Sequence, residues 1–183
     1  MTSPFIDSIY ALFDRFGAER YGEDASQLQH ALQCAQLARQ HGCSDDLIAA
    51  SLLHDIGQFL DDAGNAAVRL HIDGCHETTG SVYLSRAFGP EITEPVRLHV
   101  DAKRYLCTVR PEYQEGLSGA SILSLELQGG TMTGQEVEAF LANPHAEAAL
   151  QLRRFDDAGK QPDWEVPGLD AYRPMLESLQ RSG

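Results

Sequence analysis

Apolar residues recur along the chain at the three- and four-residue spacing of amphipathic helices. The first predicted helix follows the capping pair Ser3-Pro4 and ends at Gly17. A second runs from about Ser26 to Gly42, and a third begins at Ser44 or Asp45 and continues through Ile56. Since no alternating strand pattern of useful length is present, the sequence predicts an all-α fold of packed helices.

The helical spacing is lost after Gly57 and returns later in the chain. The stretch Asp61 to Gly74 has no periodicity, and an irregular segment of that length is typical of a functional loop. Helices are then predicted over 75–88, 91–105, 111–117, 118–127, 133–141, 144–155 and 169–180, with an irregular stretch over 159–167. A chain of 183 residues is expected to form one domain.

Charge and composition exclude several kinds of partner. The chain has 27 acidic against 14 basic residues and a net charge of −13, which argues against nucleic acid and anionic membranes. Its longest apolar run is far too short to span a bilayer, and no signal-peptide pattern is visible. The four cysteines form no CxxC pair. We therefore expect a reduced, cytoplasmic protein. We also expect a monomer whose partner is a small molecule.

The stretch Ala49–Gly57 combines an apolar helical face with the polar pair His54-Asp55. Burial of these two side chains in a Leu/Ile environment is costly unless they are paired, and a metal ion is the commonest partner. Asp55 has two carboxylate oxygens, so it can bind two cations at once. The pair therefore predicts a metal site that other helices complete.

Three further histidines support this prediction. His30, His54, His76 and His99 lie 22 to 24 residues apart on successive predicted helices, a spacing that returns the chain to the same end of a bundle. Four imidazoles and a bridging carboxylate exceed the three protein ligands of a catalytic zinc site and favour two metals. Nitrogen and oxygen donors favour iron or manganese. Asp156 is the best candidate for the next ligand, followed by Asp157.

The order of these residues resembles the HD-domain superfamily and, within it, the mixed-valent diiron oxygenases. The stretches Gln27–Ala35, His99–Leu106, Leu127–Gly130 and Phe155–Asp156 are similar to the 2-amino-1-hydroxyethylphosphonate dioxygenases that degrade phosphonates. The resemblance covers nearly the whole chain. It implies a single HD-domain helical bundle over residues 1–183, with a metal-binding core at about 26–158.

The resemblance also implies a ligand set for a mixed-valent Fe(II)/Fe(III) pair. One iron would be bound by His30, His54, Asp55 and Asp156, and the second by Asp55, His76 and His99. Dioxygen would be the co-substrate. The residues with catalytic roles in the family match Asp55, Lys103 and Gln58. Gln58 stands where the family has a histidine, and a glutamine cannot shuttle a proton near neutral pH.

Substrate contacts follow from the same resemblance. Lys103 and Arg153 match residues that bind the phosphonate, and Ser121 and Ser124 match hydroxyl contacts to that group. Glu23 matches a contact to the substrate amine. Tyr21 lies two residues before Glu23, whereas the family tyrosine that caps the open iron site lies three residues before the glutamate.

The implied reaction is O2-dependent cleavage of the carbon–phosphorus bond of a 1-hydroxyphosphonate. A primary amine on the substrate would give glycine, and a trimethylated amine would give glycine betaine. A quaternary nitrogen prefers aromatic faces, which Tyr21, Tyr105 and Phe16 could supply. The alternatives are an HD phosphohydrolase acting on a nucleotide or phosphomonoester, which needs only four ligands, and a non-catalytic binding module, which would be expected to lose ligands.

Overall fold

The computed structural model of the protein describes residues 3–64 and 70–181. Within these ranges the regular structure is helical and no strand is present, which confirms the all-α prediction. Ten α-helices lie wholly within the described ranges: α1 (Pro4–Phe16), α2 (Gln27–Gln40), α3 (Asp45–Leu53), α4 (His76–Leu84), α5 (Pro90–Val109), α6 (Pro111–Glu115), α7 (Gly119–Leu127), α8 (Gly134–Leu141), α9 (Ala146–Ala158) and α10 (Arg173–Ser178).

Side-chain caps explain where several helices begin. The Ser3 hydroxyl accepts a hydrogen bond from the Ile6 backbone N–H at the start of α1. Ser26 and Gln29 form a capping box at the start of α2, in which each side chain accepts from the other residue's backbone N–H. These caps agree with the helix starts that the sequence predicts.

Helix α5 lies at the centre of the bundle. It packs against α3, α4 and α9, while α2 packs against α3 and α9. The main hydrophobic core is built largely from α1, α2, α3 and the turn after α3, and it includes the fully buried Phe59 and Tyr172. A smaller cluster joins α5, α8 and α9 through Leu98, Ala102, Met132, Phe140, Ala146 and Ala149. This packing joins α2, α3, α4, α5 and α9 around the candidate site.

Helix α3 is shorter than the sequence predicts. It ends at Leu53, His54 is its C-terminal cap, and Asp55 adopts φ −97° and ψ 6° before a 3₁₀ turn over Ile56–Gln58. The prediction of a helix through Ile56 is therefore wrong. The turn brings Gly57 so close to α4 that a Cβ atom there would lie 2.0 Å from the carbonyl oxygen of His76. Only glycine allows this approach.

The predicted loop after Gly57 is partly structured. Residues Leu60–Asp62 form a 3₁₀ turn, and residues 65–69 of the predicted loop lie outside the described ranges. The last predicted helix is divided, because Leu169–Tyr172 forms a 3₁₀ turn that leads into α10. In the parts of the chain that are described, no helix combines the length and the apolar content needed to cross a membrane.

Candidate active site

A cavity of about 390 Å³ lies between α2, α4, α5, α7 and α9. Its lining includes all the predicted site residues except His54: Tyr21, Glu23, His30, Asp55, Gln58, His76, His99, Lys103, Ser121, Ser124, Arg153 and Asp156. His54 is fully buried and lies directly beside His30. The structure therefore brings the predicted metal ligands and the predicted polar substrate contacts to one place.

Two groups of metal-binding atoms meet at Asp55. In the first group, the Nε2 atoms of His30 and His54 are 3.2 Å apart, and Asp55 Oδ2 lies 3.7 and 3.5 Å from them. Asp156 Oδ1 completes this group at 3.3 Å from His30 Nε2 and 3.8 Å from His54 Nε2. These four residues are the set that the resemblance implies for one iron.

The second group uses the other oxygen of the same carboxylate. His76 Nε2 and His99 Nε2 are 3.1 Å apart, and Asp55 Oδ1 lies 3.1 and 3.8 Å from them. The ligand atoms of Asp55, His76 and His99 all lie within 4.8 Å of one another, as three ligands of one ion would. Asp55 is thus placed to bridge two cations.

Hydrogen bonds to the backbone orient three of the four imidazoles. The Nδ1 atom of His30 lies 2.8 Å from the Gly159 carbonyl oxygen, that of His54 lies 2.9 Å from Ser51 O, and that of His99 lies 2.7 Å from Val96 O. A carbonyl only accepts, so each Nδ1 carries the proton and each Nε2 presents a lone pair. Two such lone pairs facing each other at 3.2 Å repel unless a cation lies between them, so the donor set fits metal ions.

The charge states of Asp55, Asp156 and His99 agree with metal binding, whereas acidic neighbours outweigh burial and raise the pKa values of His30 and His76. Burial opposes ionisation of Asp55 and Asp156, but His54 beside Asp55 and Arg153 beside Asp156 hold both carboxyl pKa values well below their usual range. Burial, together with His76 and His54, lowers the pKa of His99 to about 3. Both carboxylates are ionised and His99 is neutral at pH 7, as metal ligands must be.

Cys34 also lies beside the first group. Its Sγ atom is 3.7 Å from His30 Nδ1 and donates to the Phe155 carbonyl at 3.4 Å. Burial raises the pKa of this thiol, so it remains protonated and is a poor metal ligand. The site keeps the nitrogen and oxygen donor set that favours iron or manganese.

Basic side chains form the other end of the cavity. Lys103 is 3% exposed, and its Nζ donates to Ser124 Oγ at 2.7 Å. Burial and the nearby Arg153 lower its pKa to about 8. Arg153 is also buried, and its guanidinium donates to Tyr113, Asp156 and Asp157. Arg153 therefore orients the ligand Asp156 as well as contributing positive charge to the cavity.

Lys160 is a cavity residue that the predicted site lacks. Its Nζ donates to Glu23 Oε1 at 2.8 Å and to Ser121 Oγ at 3.1 Å. Burial opposes its ionisation, but Asp156 and Glu23 outweigh this effect and raise its pKa. Lys103 and Lys160 are the only two lysines in the sequence, whereas lysine is normally a surface residue. This scarcity is the signal that could have identified Lys160.

The segment with Tyr21 and Glu23 closes one side of the cavity. Tyr21 has φ 46° and Gly22 has φ 87°, and the Tyr21 ring packs against Gly64. The Tyr21 hydroxyl is buried and has no hydrogen-bond partner among the described residues. Glu23 Oε1 accepts from both Ser118 and Lys160.

Two predicted aromatic contacts lie elsewhere in the molecule. Phe16 is buried in the main core and stacks on Phe59. Tyr105 packs against Phe140 in the smaller cluster. The prediction that these rings face the substrate is therefore wrong, because the helical periodicity that marks an apolar face does not distinguish a core from a cavity wall. Tyr21 is the member of the predicted set that lines the cavity.

Comparisons with known proteins agree with this geometry. A family model described as HD domain matches residues 28–127. The chain is 45% identical over 174 residues to hydroxymethylphosphonate dioxygenase of Gimesia maris, covering 94% of this chain and 87% of that protein. It is 42% identical over 175 residues to [1-hydroxy-2-(trimethylamino)ethyl]phosphonate dioxygenase (glycine-betaine-forming) of Leisingera caerulea, covering 95% of this chain and 89% of that protein.

Proposed function

Since the chain belongs to the HD-domain family, in the group that contains these phosphonate dioxygenases, we propose that it cleaves the carbon–phosphorus bond of a 1-hydroxyphosphonate with O2. It is an oxidoreductase of the dioxygenase type. The products are inorganic phosphate and a carboxylic acid. One substrate and one O2 balance this reaction: the C–H and C–P bonds break, and new C–O and P–O bonds form.

The observation that carries the proposal is the position of Asp55 between two groups of ligand atoms. We propose that His30, His54, Asp55 and Asp156 bind one iron and that Asp55, His76 and His99 bind the other. A mixed-valent iron pair would supply the binding and reduction of O2. The protein's own task is to bind the substrate, orient it and exclude competing reactions.

The basic end of the cavity would bind the phosphonate group of the substrate. Lys103 presents a buried ammonium, and Arg153 adds a second cation nearby. The Ser124 hydroxyl accepts from Lys103, while the Ser121 and Ser124 hydroxyls offer further polar contacts to a phosphonate oxygen. These groups place the reacting carbon near the bridging carboxylate and neutralise the substrate charge. Gln58 lines the same cavity and offers an amide for hydrogen bonding.

The segment with Tyr21 and Glu23 would bind the nitrogen-containing head group of the substrate. A primary ammonium would donate to Glu23, giving glycine as the acid product, and a trimethylated nitrogen would lie against the Tyr21 ring, giving glycine betaine. Both residues line the cavity. We propose these two substrates, 1-hydroxy-2-aminoethylphosphonate and its N-trimethyl analogue. The monomeric state, the single-domain organisation and the cytoplasmic location of the protein stay predictions.

The alternative function is an HD phosphohydrolase. That activity needs only His30, His54, Asp55 and Asp156, and it leaves the close pair of His76 and His99 nitrogens without a role. A non-catalytic module is disfavoured for a related reason, because each predicted ligand of both groups is retained and three of the four imidazoles are oriented by backbone carbonyls.

Anaerobic purification followed by metal analysis and turnover tests the proposal. We expect about two irons per chain and release of phosphate that stops when O2 is removed. The amount of O2 consumed should equal the amount of phosphate formed and the amount of carboxylic acid formed. Phosphate release from a phosphomonoester without O2 would instead establish the hydrolase.

A further inference from the structure

The backbone around Lys160 is fixed to α2, the helix that also carries His30. The Gly159 carbonyl accepts from His30 Nδ1 at 2.8 Å, and the Gln161 backbone N–H donates to Gln33 Oε1 at 3.0 Å. Gln33 is fully buried and also donates to the Trp164 carbonyl. A Cβ atom at Gly159 would lie 2.7 Å from Cys34 Sγ, so the backbone at Gly159 packs closely against α2. Lys160 is therefore held in position between two anchored residues.

The two lysines form parallel contacts with one face of α7. Lys160 donates to Ser121 Oγ at 3.1 Å and Lys103 donates to Ser124 Oγ at 2.7 Å. Ser121 and Ser124 are three residues apart, so they are neighbours on the helix surface. An ammonium has three donors, and Lys160 gives two of them to Glu23 and Ser121. Together the lysines present two ammonium groups along one face of α7.

The two lysines differ in their contact with Glu23, which forms an ion pair with Lys160. Glu23 belongs to the Tyr21–Asp24 segment, which lies 137 residues from Lys160 along the sequence. The Glu23–Lys160 pair is four-fifths buried, with side-chain exposures of 20% and 19%. Removal of either partner alone would leave a largely buried charge unpaired, which is costly.

We propose that Lys160 is a second phosphonate-binding lysine and that the substrate takes over both partners of the Glu23–Lys160 ion pair. The phosphonate replaces Glu23 on Lys160, and the ammonium of the substrate replaces Lys160 on Glu23. A zwitterionic phosphonate completes this exchange with no charge left unpaired. A phosphonate without a cationic head group cannot do so, because it would strand Glu23. The inference rests on the proposed function and assigns its substrate class, an aminophosphonate zwitterion.

The test measures binding of two probes to the iron-loaded, anaerobic protein by titration calorimetry. Methylphosphonate carries only the anion, and 2-aminoethylphosphonate carries both charges; neither has the 1-hydroxyl group of the substrate. In the wild type, 2-aminoethylphosphonate should bind more tightly by roughly tenfold, the value of one charge-assisted hydrogen bond. Glu23→Gln should reverse the order: methylphosphonate should bind roughly tenfold more tightly because Lys160 is released, and 2-aminoethylphosphonate more weakly.

The double variant Glu23→Gln/Lys160→Met identifies the lysine. The double variant should lose the increase in methylphosphonate affinity that Glu23→Gln alone produces. Glu138→Gln removes an exposed carboxylate on α8 and serves as the matched control. If Lys160→Met changes the melting temperature, Lys160→Gln replaces it in the cycle.

The exchange is overturned if Glu23→Gln leaves methylphosphonate affinity unchanged, if the double variant keeps the gain, or if the wild type binds neither probe. Failure of the proposed function gives a different result. In that case the probes still show the charge-dependent preferences, but hydroxylated phosphonates release no phosphate with O2. The two ideas can therefore fail separately.

Discussion

The two ends of the cavity are held in different ways. At the metal-ligand end, His30, His54 and His99 are anchored to backbone carbonyls. At the anion-binding end, side chains hold other side chains: Lys103 contacts Ser124, and Lys160 contacts Ser121 and Glu23. The first kind of contact changes only when a helix or its cap moves. The second changes when a rotamer changes, which costs far less.

This difference indicates that the two ends of the cavity have different roles, one in binding metal ions and the other in binding the substrate. The backbone holds His30, His54 and His99 in position before any substrate arrives, which would lower the cost of binding the two proposed metal ions. The side-chain contacts at the basic end would allow the exchange of partners that we propose for Glu23 and Lys160. Variants at the two ends should therefore have separable effects on metal content and on substrate affinity.

The largest expected effect comes from removing the shared carboxylate. Asp55→Ala should lose both metals together, because both groups of ligand atoms meet at its two oxygens. Activity should fall by at least about 100-fold, more than is typical for a residue that only supports a ligand. Iron content after anaerobic purification is the measurement, with Asp163→Ala as an exposed control. Full iron retention would show that Asp55 does not bridge.

Gly57→Ala should damage the metal-ligand end through packing. The new Cβ would lie 2.0 Å from His76 O and 2.8 Å from Gly80 N, so the turn and α4 must separate. We expect a loss of about 1–3 kcal/mol in the free energy of unfolding and a selective loss of the ion bound by His76. Urea unfolding and iron analysis measure both effects. Gly134→Ala, which adds a Cβ in open space at the start of α8, is the control; it should keep the iron content and should not lower the free energy of unfolding.

Lys103→Met should affect substrate affinity and leave the metals in place. It removes a buried cation from the anion-binding end but keeps most of the side-chain volume. Loss of a charge-assisted hydrogen bond should raise the Michaelis constant by about tenfold or more. Steady-state kinetics and iron content are measured on the same preparation. A parallel loss of iron would contradict the separation of the two ends.

The smallest expected effect is a pH dependence of stability. Burial and Arg153 lower the pKa of Lys103 to about 8 in the folded protein, well below its value of about 10.4 in an unfolded chain. Between these values the unfolded state binds more protons, so this group's contribution to stability rises with pH. Relative to Lys103→Met, the wild type should gain about 1 kcal/mol between pH 7.5 and pH 9. A difference that is flat or falls with pH would place the lysine in a more solvated environment.

The sequence predicts the metal-ligand end better than the anion-binding end, for a physical reason. Histidines spaced by about one helix and one turn must return to the same end of a bundle, so His30, His54, His76 and His99 could be grouped without a structure. The early end of α3 at Leu53 accompanies the close approach of Gly57 to His76, which local helix propensity does not encode. The Lys160–Glu23 pair joins residues 137 positions apart, and no local pattern marks such a contact.

The location of both lysines has a practical consequence for following the opening of the site. A protease that cleaves only after lysine has two target bonds in this chain, after Lys103 and Lys160. Lys103 is buried within the helix α5, so the bond after it is inaccessible while the cavity is intact, whereas Gln161, which follows Lys160, is exposed. Cleavage after Lys103 therefore reports the population of molecules in which the cavity walls have separated. Ligands that close the cavity should slow the appearance of the fragments, so gel electrophoresis could rank candidate substrates before any turnover assay exists.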